Sequence, residues 1–456
     1  MKPIELTLFK RLNHLFWPIL GSALAYSIMP FINTLLMGHL APQVLAAGGL
    51  VNACFIFMMM MFWGIFTTSG TLMSRCTTGE QDGKINQLFK TSFILALILG
   101  CIAAVVFWHL TWIFQCFRQP EAIIIIARPY IHITSIAMIP TLIIMVCEQF
   151  FFGLGKPRVI MHNAFILLPF NILLNYSLMY GAFGFPALGI QGLAWGSLTI
   201  SCCNAFVLMV IIHTQRPYNI HLKPGPWFYQ GAAKELLTQG IPVGLIWVVE
   251  VGFLTAVAFL MGRISINALA AHEISFQAYL LAFSLAVNMG QALQIVMGEC
   301  IGQKQESFIP HAYKIAICLL SGLVFIVAMI VWCLPTLIIH LVLGGKNLAN
   351  TEVAPLALCL LRIMPLFLFF DSLAFLTLSA LRALKKTQMS LVIVIAIYWL
   401  LIIPSLSVGV LHLHILNPQD LWIALALGAL ISFILQSTYF RRMRSGNYGL
   451  QDLVGF

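Results

Sequence analysis

The sequence predicts an all-α membrane protein: twelve transmembrane helices arranged as two parallel six-helix repeats. Three observations predict it. Of 456 residues, 61% are hydrophobic and only 8% charged, with a mean hydropathy of +0.97, far from the composition of soluble domains. Apolar runs long enough to cross a hydrocarbon core of about 30 Å, which takes roughly 20 residues each, recur a dozen times along the chain. The pattern of the first half also returns in the second.

The first six spans fall near 15–37, 47–73, 91–115, 128–150, 160–182 and 187–213. The second six fall near 239–262, 274–298, 312–343, 354–381, 388–411 and 420–440. The opening KPIELTLFKRLNH and its apolar run resemble a secretory signal, but the run exceeds the ~7–15 residues of a signal core, so it is the first transmembrane helix. Sliding that helix by 224 positions lays WPILGSALAYSIMPFINTLLMGHLAPQVLAA over IPVGLIWVVEVGFLTAVAFLMGRISINALAA without a gap. Pro18 then meets Pro242, Met37 and Gly38 meet Met261 and Gly262, and Leu45, Ala46 and Ala47 meet Leu269, Ala270 and Ala271. GLGKPR at 153–158 and RALKKT at 382–387 echo each other, each after the fourth helix of its half.

The expected organisation is an N-lobe at 1–213, a cytoplasmic linker at 214–236, a C-lobe at 237–440 and a cytoplasmic tail at 441–456. Six helices bring the chain back to its starting side, so the repeats are parallel and related by a pseudo-two-fold axis along the membrane normal. Transporters of that construction bind substrate near the midplane between their halves and expose it alternately to each side.

A formal net charge of +10 invites a nucleic-acid reading, but the basic residues report topology. Lys2, Lys10, Arg11, Arg75, Lys84, Lys90, Lys156, Arg158, Arg216, Lys223, Lys234, Lys304, Lys314, Arg382, Lys385, Lys386, Arg441, Arg442 and Arg444 fall in the N-terminal tail or the even-numbered connections. Arg118, Arg128, Arg263 and Lys346 fall opposite. The positive-inside bias then puts both termini in the cytoplasm. The expected partners are the lipid bilayer and small organic substrates, with no nucleic acid. The 11 cysteines sit mostly within apolar spans at no metal-ligand spacing. His412 and His414, in LHLHIL, have no second ligand cluster, so no metal site is expected.

Acids within apolar helices are the most informative chemical signal, since one at a helix centre costs about 2.5–3.5 kcal/mol on insertion scales and is functional by default. Glu250 lies in the middle of helix 7 (LIWVVEVGFL), Asp371 in helix 10 (LFLFFDSLAFL), and Glu148 towards the inner end of helix 4 (IMVCEQFFFG). Trp247 and Phe253 flank Glu250 at one turn, as Phe367 and Phe375 flank Asp371. No Lys or Arg is expected at their depth, so the pair has the character of a proton- or cation-coupling site. Polar residues also recur at helical spacing: Gln277, Ser284, Asn288 and Gln291 on helix 8, Asn171 and Asn175 on helix 5. The helix 8 stripe is expected to line a wet cavity. The 20 Met and 34 Phe would lend such a cavity adaptable, polarizable walls and π-faces for cations.

MPFINTLLMGHL in helix 1, GLGKPR after helix 4, PFNILLNY in helix 5, PALGIQGLAWG entering helix 6, WVVEVGFL with LAAHEISF across helices 7 and 8, and FFDSLAFLTLSALRALKKT in helix 10 together resemble the multidrug and toxic compound extrusion (MATE) transporters, in their NorM-like bacterial branch. The resemblance covers nearly the whole chain. It implies a V-shaped bundle of two lobes in the bacterial inner membrane. It also implies export of organic, often cationic and amphipathic compounds driven by inward movement of Na⁺ or H⁺, with no other cofactor, no enzymatic step and a monomeric chain. The coupling acids of that branch match Glu250 and Asp371.

Where the family usually carries a helix 1 aspartate, this chain has Asn33, with Asn171 and Asn175 as its expected helix 5 neighbours. An amide does not take up a proton near neutral pH, although its carbonyl can ligate Na⁺. Pro18 and Pro30 supply sites for bending helix 1. Two other classes stay in view: a lipid-linked precursor flippase of related fold, which would favour a basic cavity, and a membrane-embedded enzyme, which would need a convergent catalytic set.

Overall fold

The structure, a computed structural model, describes residues 3–40, 42–77, 82–116, 120–214, 225–337, 339, 353–413 and 415–444. Twelve helices among them are long and apolar enough to cross a membrane, one for each predicted span. No strand occurs among the described residues. The helices of the first half are α1 Pro3–Leu40, α2 Pro42–Cys76, α3 Asp82–Trp108, α4 Glu121–Gly153, α5 Pro157–Tyr180 and α6 Ile190–Thr214. Those of the second are α7 Gln230–Ile264, α8 Ile266–Gly302, α9 Ile309–Cys333, α10 Val353–Ala383, α11 Thr387–Leu411 and α12 Pro418–Arg444.

Several bounds differ from the apolar windows for physical reasons. α1 starts at Pro3, twelve residues before its predicted span, because Leu8, Leu12, Leu15 and Ile19 recur at helical spacing and are buried, which makes the polar opening an amphipathic extension. α7 likewise starts at Gln230, where the helix formers of QGAAKELLTQ bury Ala233 and Leu236. α9 stops at Cys333 instead of running to 343. Pro335 lacks an N–H and its ring clashes with the carbonyl four residues back, which disfavours helix through it. α3 ends at Trp108, and a short helix at Leu110–Cys116 follows. Linker residues 215–224, tail residues 445–456, His414 and the His412 side chain lie outside what the structure describes.

The chain divides into two compact units. The N-terminal unit comprises Trp17–Gly244 and Gly298–Lys304; the C-terminal unit comprises Met1–Phe16, Leu245–Met297 and Gln305–Phe456. The cuts fall inside α1 and α7, close to Pro18 and Pro242, the prolines that the repeat aligns. In each unit the fourth helix of the repeat is central. α4 packs against α2, α3, α5 and α6, while α10 packs against α9, α12 and the first turns of α11. α4 carries Glu148 and α10 carries Asp371.

Candidate functional site

In the C-terminal unit four helices converge on the two acids. α7 carries Glu250 and α10 carries Asp371. Tyr279 on α8 donates its hydroxyl to Asp371 Oδ2 at 2.7 Å, and Tyr398 on α11 is a second phenol facing the same carboxyl. Tyr398 lies in Ile395–Ile402, where α11 winds as a π-helix, a wider turn frequent at functional sites. The adjacent Trp399 donates its indole N–H to Val249 O at 3.1 Å, one residue before Glu250. Phe253, one turn after Glu250 on α7, stacks on Tyr398 with ring centroids 4.1 Å apart. The π segment therefore holds α7 on both sides of Glu250 while serving Asp371.

Around these polar contacts runs an aromatic wall. Tyr279 stacks on Phe367 at 4.9 Å, Phe283 meets Phe375 edge-on at 5.3 Å, and Phe375 lies 5.5 Å from Trp247. α8 and α10 come this close because Gly290 has no side chain: a Cβ there would collide with Ser379 Oγ and stand 3.2 Å from Phe375 Cε1.

Arg382 corrects the expectation that no basic residue reaches this depth. It was assigned to the connection after helix 10, yet α10 continues to Ala383 and Arg382 is buried. Helical side chains lean toward the N-terminus of their helix, which carries the guanidinium back toward Asp371. It lies 5.3 Å from the Phe375 ring and 6.0 Å from the Trp247 ring. Arg382 and Asp371 are the charged groups that act on Glu250. Its Nε and Nη2 have no hydrogen-bond partner among the described residues.

The helix 8 stripe is less convergent. Ser284 Oγ donates to Leu281 O at 2.6 Å and Asn288 Nδ2 to Ser284 O at 2.7 Å, so both turn onto their own backbone. Gln277 is exposed and Gln291 buried.

The N-terminal unit holds a cavity of about 440 Å³ between α1, α2, α4, α5 and α6. It brings together Asn33, Asn171, Glu148 and Pro30 of the predicted residues; Asn175 reaches it through hydrogen bonds, and Pro18 stands outside its lining. Asn175 Nδ2 donates to Asn33 Oδ1 at 2.9 Å, to Asn171 Oδ1 at 3.2 Å and to Ser197 Oγ at 3.4 Å. Gly196 makes room for that amide, since a Cβ there would collide with Asn175 Oδ1. Pro30 removes an N–H from α1, leaving the Tyr26 carbonyl without its helical donor, and Thr34 Oγ1 bonds the Pro30 carbonyl at 2.9 Å. Tyr26 Oη lies beside both the Glu148 carboxyl and the Asn204 amide without closing a well-formed hydrogen bond to either. Asn204 is held from behind by Asn163, 2.6 Å away.

Tyr279, Tyr398, Arg382, Tyr26 and Asn204 are the residues that sequence reasoning missed. The phenols carried a usable signal, since a tyrosine inside an apolar helix must find a partner for its hydroxyl, and intramembrane acids are such partners. Arg382 carried a weaker one, the continuation of helical pattern through LSALRAL.

The family model MatE matches residues 18–177 and again 242–406, one match in each repeat. A protein of Pseudomonas syringae pv. tomato named probable multidrug resistance protein NorM is 29% identical over 391 residues, covering 85% of each chain. Its namesake in Pseudomonas aeruginosa is 28% identical over 406 residues, covering 89% of this chain and 83% of that one. Among solved structures, an outward-facing multidrug resistance MATE family transporter of the MOP superfamily superposes with a TM-score of 0.86 at 17% identity, covering 98% of this chain and 99% of that one. With one family match spanning most of each repeat and the twelve-helix fold in common, this chain belongs to the MATE family of membrane transporters.

Proposed function

We propose that the chain is a secondary active antiporter that exports organic, cationic amphipathic compounds in exchange for inward Na⁺ or H⁺, with Glu250 and Asp371 as the coupling acids. It works in the bacterial inner membrane with both termini cytoplasmic, as the basic residues of the even-numbered connections support. Its relatives in Pseudomonas are named probable multidrug resistance proteins, which supports export of such compounds.

The observation that carries the coupling assignment is the convergence of Tyr279, Tyr398 and Arg382 on two acids in adjacent helices. An ionised Asp371 accepts from Tyr279 with a second phenol, Tyr398, facing it, and Arg382 is a positive charge acting on Glu250, so the empty site tolerates its own negative charge. An arriving proton or Na⁺ must displace or rearrange those partners, and the helices that carry the two acids and Tyr398 contain Pro242, Pro365 and a π segment, backbone devices that permit bending. The cytoplasm-facing state with ionised acids accepts substrate; loading of the acids from outside favours its release. The coupling ion drives that cycle only by binding the two states with different free energy.

The flippase alternative finds less support, because no Lys or Arg lines the N-terminal cavity among the described residues and a pyrophosphate group calls for positive charge. The test is uptake of a fluorescent organic cation into proteoliposomes under an imposed Na⁺ or H⁺ gradient, with wild type, Glu250→Gln and Asp371→Asn. Wild type should respond to one of the gradients and both variants should fall to the level of protein-free vesicles. Full gradient-driven uptake in both variants would remove the assignment.

A further inference from the structure

We propose that Arg382 holds a small monovalent anion, chloride, against the edge of its guanidinium that carries Nε and Nη2, and that the anion enters as Glu250 loses its negative charge. The site itself follows from the surroundings of Arg382, whichever ion drives transport. Its link to Glu250 rests on the reading of that acid as a coupling residue and goes further, giving the loaded state a counter-ion.

A buried cation must be answered both by charge and by hydrogen bonds, and Arg382 has only the first. It is 7% exposed, and Glu250 is the acid that acts on it. Nε and Nη2 nevertheless have no hydrogen-bond partner among the described residues. These two nitrogens share one edge of the guanidinium plane, where their parallel N–H groups form a fork that can grip a single acceptor. The aromatic neighbours do not satisfy that fork. Phe375 and Trp247, 5.3 and 6.0 Å from the guanidinium carbon, attract its charge through their π-faces but bring no lone pair to it. Buried donors left unpaired in this way call for a water or an ion, and a fixed positive charge in an apolar setting selects an anion.

A further donor stands on the same helix face. Ser379 precedes Arg382 by three residues, the spacing of surface neighbours on a helix. It is fully buried, and its hydroxyl has no partner among the described residues. Arg382 leans back over that turn, so one acceptor beside them can take the two N–H groups and the O–H. The charge required is one, since Arg382 brings one. The ion must also be compact, because α8 closes on Ser379 at Gly290. Chloride meets both conditions, whereas a dianion exceeds the first and a bulky carboxylate the second. Lys385 and Lys386 follow at the end of α10 and raise the local concentration of anions. Electrostatics then sets the order of events. An ionised Glu250 already answers the guanidinium and repels a second anion; once a proton or Na⁺ neutralises it, Arg382 is left with uncompensated buried charge. Anion binding and loading of Glu250 therefore favour each other, by the same factor in both directions.

The test is chloride binding to the purified full-length protein in a non-ionic detergent, read from the chlorine NMR line width as chloride replaces gluconate at constant sodium concentration and pH. Wild type should show saturable broadening that bromide competes away. Glu250→Gln, isosteric with the neutral acid, should bind chloride at least fivefold more tightly than wild type. Glu250→Gln combined with Arg382→Gln, which removes both charges together, should lose the saturable part and keep only the non-saturating contribution of surface Lys and Arg. Ser379→Ala added to Glu250→Gln should weaken chloride several-fold with the arginine in place, which separates the site from any structural role of Arg382. Saturable binding of undiminished affinity in the variant lacking both charges would overturn the site. So would the absence of saturable broadening in both wild type and Glu250→Gln, the result expected if water fills the fork. If chloride binds through Arg382 but no more tightly in Glu250→Gln than in wild type, the link to Glu250 falls while the site stands. If the chloride results hold but Glu250→Gln and Asp371→Asn keep full gradient-driven uptake, the coupling reading fails and the anion site remains.

Discussion

The central helix of each unit carries one acid in its interior, and the two acids live in opposite surroundings. Asp371 on α10 is half-buried among side chains, with Tyr279 as a donor, Tyr398 facing it, Phe367 and Phe375 packed one turn to either side, and Arg382 three turns below. Glu148 on α4 borders a cavity of about 440 Å³, with one loosely placed phenol beside it. Two copies of one six-helix plan thus surround a half-buried carboxyl in two ways. Where protein donors answer the charge, a newcomer must compete with them, which suits a small ion whose binding rearranges helices. Where space and π-faces answer it, a bulky guest can enter without repacking the core. In the proposed cycle the C-terminal unit is the one that the coupling ion switches.

The comparison breaks most visibly at Arg382. Arg382 is buried and acts electrostatically on Glu250, and removing one of two charges coupled in a low-dielectric site leaves the other uncompensated, so Arg382→Gln should lower the melting temperature of the detergent-solubilised protein more than any other single change considered. Adding Glu250→Gln should recover most of the loss, as a double-mutant cycle requires of coupled residues. Arg382→Lys should not restore stability, because an ammonium lacks the planar guanidinium that faces Trp247 and Phe375. Independent, additive losses in the double variant would contradict the pairing.

A smaller effect is expected at Tyr279. Tyr279→Phe removes one hydrogen bond to a carboxylate, about 1.5–3 kcal/mol, and should leave Asp371 without its 2.7 Å donor. Coupled transport should then shift its ion dependence while substrate binding in the N-terminal unit stays as it was. A change in binding there with no change in ion dependence would argue that the two units do not divide the work as described. The smallest effect belongs to Gly196→Ala. Its methyl meets the Asn175 amide, an overpacking worth about 1–3 kcal/mol. It should disturb the Asn33–Asn171–Asn175 network, read as weaker binding of organic cations with ion coupling intact.

Much of this was legible in the sequence. Twelve spans and the 224-residue repeat point to the fold, and the cost of acids inside apolar helices singles out Glu250, Asp371 and Glu148. Helix ends were less legible, because hydropathy sees the bilayer and not the helix: α1 and α7 extend through polar turns, and α9 ends at a proline inside an apolar run. Arg382 was hidden because depth judged along the chain ignores a side chain that folds back by several ångströms. The N-terminal cavity was hidden because a void is a property of five helices together. Periodicity placed Ser284 and Asn288 on one face but could not show that their hydrogen bonds close on their own helix.

The central claim is that Glu250 and Asp371 couple ion entry to export without forming the organic-cation site. Proteoliposomes preloaded with an unlabelled organic cation separate the two: one-for-one exchange with labelled substrate needs binding and alternation, whereas uphill accumulation needs coupling as well. The account predicts that Glu250→Gln and Asp371→Asn retain exchange and lose accumulation under either gradient. Accumulation equal to wild type in both variants, or loss of exchange together with accumulation, would contradict it.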